Sequence, residues 1–82
     1  MEVRIGVTQV PKEIEVDLGD DADHQALVKQ IDAALVEADK GGMLWLVDRR
    51  GRQVGVPAAK IAWVEIGSPA DERRVGFGAH LH

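Results

Sequence analysis

The chain opens on strict alternation. From Glu2 to Thr8, Val3, Ile5 and Val7 take one set of positions and Glu2, Arg4, Gly6 and Thr8 the other. A period of two marks a strand with one buried face. Pro11 interrupts it within Gln9-Val10-Pro11-Lys12, because its ring fixes φ and it has no N–H for a ladder. Alternation resumes from Glu13 to Leu18, with Ile14, Val16 and Leu18 inward and Glu13, Glu15 and Asp17 outward. Two such runs joined by four residues predict an antiparallel hairpin.

The period then changes to that of a helix. Leu27, Val28, Ile31, Ala34, Leu35 and Ala38 follow the i, i+3, i+4, i+7 spacing of an amphipathic helix. The predicted rod runs from about Asp21 to Lys40, roughly 30 Å at 1.5 Å per residue. Asp20 or Asp21 caps its start, since a short carboxylate accepts from the free N–H groups of the first turn. Asp21 and Asp23 also suit the positive end of the helix dipole. Gly41-Gly42 supplies a left-handed stop.

Three more strands follow. Met43 to Val47 is apolar on both faces, with Met43, Trp45 and Val47 on one side and Leu44 and Leu46 on the other. Asp48-Arg49-Arg50-Gly51 fits a hairpin loop with Gly51 at positive φ. Gln53 to Val56 forms the return strand, ended by Pro57, and Ala58-Ala59 turns into a fifth strand from Lys60 to Ile66. That strand is apolar on both sides as well, with Ile61 and Trp63 on one and Ala62, Val64 and Ile66 on the other. A strand facing one helix and water would carry polar residues at alternate positions. Val75 and Phe77 allow one more short edge strand, which Gly76 and Gly78 disfavour. The expected architecture is therefore α+β and two-layered. It has a mostly antiparallel sheet in the order ββαβββ and one helix packed on one face. Residues 1–78 form a single domain, and 79–82 a flexible C-terminal tail.

Composition narrows the setting. A chain of 82 residues has room for a single core. Cysteine is absent, which excludes disulfides, thiolate metal sites and thiol nucleophiles and fits a reducing compartment. The N-terminus lacks a basic region followed by a long apolar run. No stretch nears the ~18 consecutive apolar residues of a membrane span. The expectation is a cytoplasmic protein with no membrane partner. The net charge of −4 is divided unevenly: residues 1–39 hold ten acids and three bases, residues 40–82 four acids and seven bases.

The candidate chemistry follows that division. Arg49, Arg50 and Arg52, joined by Lys60, Arg73 and Arg74, compose a candidate anion-binding patch, because guanidinium forks match phosphate oxygens. Single-stranded nucleic acid would also need aromatic platforms beside that charge. Trp45 and Trp63 are the only candidates of substance, and they sit inside strands. A solvated turn whose arginines pair with the chain's own acids is the competing reading. Glu13, Glu15, Asp17, Asp20, Asp21 and Asp23 offer oxygen ligands without calcium-loop spacing. His80 and His82 form a pair with no third ligand. Ser68 has no nucleophile-elbow context, and no phosphate loop or dinucleotide fingerprint is present. The chain therefore reads as a non-enzyme with no cofactor and no metal.

Several blocks carry a family resemblance. The opening Met-Glu-Val-Arg-Ile-Gly-Val-Thr is one, and Asp48 to Arg52, Ala59 to Gly67 and Arg73 to Gly78 are the others. Together they resemble, in the same order, a family of short uncharacterised actinobacterial proteins known as a domain of unknown function. The resemblance covers nearly the whole chain and implies a stand-alone cytoplasmic protein of this size. It brings no catalytic residues. Some members carry a nucleotide-binding label. From the residues themselves, the first expectation is a small interaction or self-assembly module. It would present Trp45, Trp63 and Ile61 to a second copy or to another protein, because a second copy would cover the spare apolar faces. The alternative is nucleic-acid or nucleotide binding through the arginine turn.

Overall fold

The computed structural model describes residues 1–67. The tail strand over Val75–Phe77, the arginines Arg73 and Arg74, the C-terminal histidines and the domain limit at residue 78 lie outside that range. The class and order stand as read: an α+β fold in which ββ is followed by α and then βββ. The strands are β1 (Glu2–Val7), β2 (Ile14–Asp17), β3 (Met43–Val47), β4 (Gln53–Pro57) and β5 (Ile61–Ile66), and the helix is α1 (His24–Val36). Short 3-10 turns at Ala38–Lys40 and Ala58–Lys60 precede β3 and β5.

The strands form two antiparallel sheets where the sequence suggested one. A three-stranded sheet has the order β2-β1-β5, and β3 and β4 form a two-stranded ribbon. Val3 and Ile5 of β1 lie opposite Val16 and Ile14 on one side and Ile66 and Val64 on the other. In the ribbon, Leu44 faces Val56 and Leu46 faces Val54. These inward rows meet Leu27 and Ile31 of α1 in one cluster with Val3, Ile5, Val16, Leu44, Leu46 and Val56 at its centre. A backbone hydrogen bond ties the ribbon to the three-stranded sheet, where Arg49 donates to the carbonyl of Asp17 at 2.8 Å. Thr8 extends the β1–β5 pairing by donating to the carbonyl of Lys60 at 2.8 Å.

The structure departs from expectation at three further points. The helix is shorter than predicted and its cap is Asp23, whose Oδ1 accepts from the N–H groups of Gln25 at 3.0 Å and Ala26 at 3.2 Å. Gly41 does adopt the left-handed conformation, at φ 82°, but closes the 3-10 turn that follows. The predicted helical stripe is also too wide: Leu27 and Ile31 are buried, whereas Val28 and Leu35 are exposed. The third correction concerns β5. A bulge opposite Gly6 and Val7 pairs Trp63 with Gly6 but Ile61 with Val7. The extra residue, Ala62, breaks the period of two. Ile61 therefore packs against the core with Val64 and Ile66 and does not share the outer face with Trp63.

Candidate functional site

Both tryptophans lie on solvent faces, each across from a glycine. Trp45 is opposite Gly55 in the ribbon, and Trp63 is opposite Gly6 in the three-stranded sheet. A Cβ added to either glycine would fall inside the facing indole. Each ring thus lies over a bare stretch of neighbouring backbone, an arrangement that makes a glycine in a strand tolerable. The rings remain half exposed, Trp45 at 54% and Trp63 at 46%. The glycines were the residues that sequence reasoning overlooked. A glycine inside an otherwise regular strand was the available signal.

The two tryptophans have different surroundings. On the ribbon, Met43, Val47 and Pro57 share the outer face with Trp45, and Gln53 is its one polar side chain. The ladder leaves the carbonyl of Trp45 pointing away from β4, and Gln30 of α1 donates to it. That contact fixes the strand that carries the ring. On the other sheet, Trp63 stands beside a charged row. Arg4 lies between Glu15 and Glu65 in register. Its guanidinium is 3.7 Å from Glu13, 3.9 Å from Glu15 and 3.7 Å from Glu65. The two faces belong to different sheets, so the structure does not unite Trp45, Trp63 and Ile61 in one patch.

The arginine turn is bound into the fold. Asp48 accepts from the N–H of Arg52 at 2.8 Å and of Arg50 at 2.9 Å, and pairs with the Arg52 guanidinium at 3.0 Å. The Arg52 backbone N–H is the main influence holding the Asp48 carboxyl below its ordinary range. Partial burial opposes it, and the Arg52 side chain and the Arg50 N–H reinforce it. Arg49 reaches Asp17 at 3.5 Å, and Asp17 also accepts from Gly19 at 2.9 Å. Arg50 alone of the three makes no ion pair among the described residues. Glu2 and Glu15 line the same shallow depression as the turn. Lys60 lies at the opposite end of the ribbon, about 17 Å away along a five-residue strand. The structure therefore separates Lys60 from Arg49, Arg50 and Arg52, while Arg73 and Arg74 fall outside the described residues.

No group of three or more metal-ligating side chains converges among the described residues. No helix among them is long and apolar enough to cross a membrane. What the fold and surface define is a small α+β protein of two packed antiparallel sheets, with a tryptophan lying over glycine on the outer face of each. Residues 1–78 match a family described as a protein of unknown function, DUF3107, and the chain belongs to that family. No curated protein matches the chain.

Proposed function

We propose that this chain is a small non-catalytic, cytoplasmic interaction module that docks through the outer face of the β3–β4 ribbon, with Trp45 as its anchor. The observation that carries this reading is the row Met43, Trp45, Val47 and Pro57, an uncharged apolar face around a half-exposed indole. Aromatic anchors surrounded by apolar neighbours dominate the energetics of protein interfaces. The occupant is a second copy of the chain or another protein. Phosphate binding draws less support, because Arg49 and Arg52 already face carboxylates and Glu2 and Glu15 stand beside them.

Sedimentation velocity over a range of protein concentrations, at low and high salt, tests the self-association half. Association that survives high salt and is lost in a folded Trp45→Ser variant is the expected result, since apolar contacts are little screened. A strict monomer at every concentration removes it. Parallel pull-downs with wild-type and Trp45→Ser chains, with and without nuclease, test the second half. A protein retained through nuclease by the wild type and lost by the variant supports the reading. Recovery of nucleic acid, with a steep loss of binding in salt, would transfer the function to the arginine turn.

A further inference from the structure

A groove of about 450 Å³ lies between the β1–β2 turn and the end of β4. Its apolar lining comes from Val7, Val10, Ile14, Val56 and Pro57, and Lys60 is the one charged residue on it. That volume falls in the range of small-molecule sites, which are mostly apolar with a few polar groups that orient the ligand. Lys60 makes no ion pair among the described residues, as is true of Lys12, Lys29 and Lys40, so its ammonium is open to a ligand. What sets the groove apart from an ordinary crease is that the turn forming one wall is strained. Val10 donates to the carbonyl of Val7 at 3.1 Å, which places Gln9 at the third position of the turn with φ 65°. Gln9 is the one non-glycine residue with positive φ among those described. Glycine usually takes that position, and such strain concentrates at binding sites. The turn also holds Val10 half exposed at the groove.

We propose that this groove binds a small amphiphilic carboxylate, with its apolar body along Val10, Ile14 and Pro57 and its carboxylate at the Lys60 ammonium. Charge complementarity makes the headgroup an anion, of which a carboxylate is the simplest. A neutral amphiphile would leave the cation unmatched, and a cationic one would be repelled by it. The groove adjoins the Trp45 face and shares Pro57 with it, but it takes a small molecule at the ribbon's edge.

Titration of the isotope-labelled full chain with octanoate, octanol and octylammonium, each below its micelle concentration, tests the proposal by amide NMR. The expected result is saturable shifts at Thr8, Gln9, Val10 and Lys60, with octanoate bound about fivefold more tightly than octanol, the scale of an exposed ion pair. Octylammonium should bind more weakly than octanol. Lys60→Gln should erase the preference for octanoate and leave octanol binding unchanged, with a wild-type amide spectrum showing that the variant is folded. Equal affinity for all three probes, shifts centred elsewhere, no saturable shift, or an undiminished octanoate preference in Lys60→Gln would each overturn it.

Discussion

At Gly55 an added methyl group would meet the far end of the Trp45 ring, which is free to swing into solvent. At Gly42 it would meet the backbone carbonyl of Glu37 at 2.9 Å and that of Ala34 at 3.1 Å, neither of which can move without disturbing the helix end. Gly42→Ala should therefore cost about 2 kcal/mol, and Gly55→Ala should stay within about 1 kcal/mol. Urea unfolding reads both. In a Trp63→Phe background, Gly55→Ala should also shift Trp45 emission to the red as the ring leaves its glycine. Asp48 offers a test in pH. Its carboxyl is held low by folding, so its stabilising contribution is present above the unfolded value of about 3.9 and is lost as pH falls through the folded value. Asp48→Asn should destabilise the protein at neutral pH, and the gap from wild type should close below about pH 4. Thermal melts across that window check the sign.

Among the elements, α1 shows how composition can mark a feature and misplace it. Asp20, Asp21 and Asp23 offer the same capping chemistry within four positions, so the sequence announces a capped helix without choosing the cap. The choice falls to Asp23 because the chain is extended there, at φ −91° and ψ 113°, and its carboxylate faces the free N–H groups. Asp23→Ala should cost about 1 kcal/mol, whereas Asp20→Ala and Asp21→Ala should change the melting temperature little. The fifth strand carries the same lesson. Alternation places Ile61 with Trp63, and the bulge across from Gly6 and Val7 reverses it. A bulge depends on how two strands meet, which a pattern within one strand does not record.

For the molecule as a whole, a small core makes each buried contact matter. Leu44 is fully buried where ribbon, sheet and helix meet, so Leu44→Ala should cost about 2–5 kcal/mol. That is a large share of the ~5–15 kcal/mol typical of a domain, and a marked fall in the urea midpoint should report it. If copies associate through the Trp45 face, the melting temperature should also rise with protein concentration, and Trp45→Ser should remove that dependence.

By itself the sequence determined the strands, the helix and the inward rows on β1 and β2, because those follow from the period of local burial. It also marked both tryptophans and the arginine turn as features of note. Only the tertiary structure decided that the strands divide into two sheets and that Trp45 and Trp63 belong to different faces. It also decided that Arg49 and Arg52 are matched by Asp17 and Asp48. The Asp17–Arg49 pair spans thirty-two positions of sequence. Periodicity carries information over a few residues, and the pairing of distant charges and edges is settled only when the whole chain closes around its core.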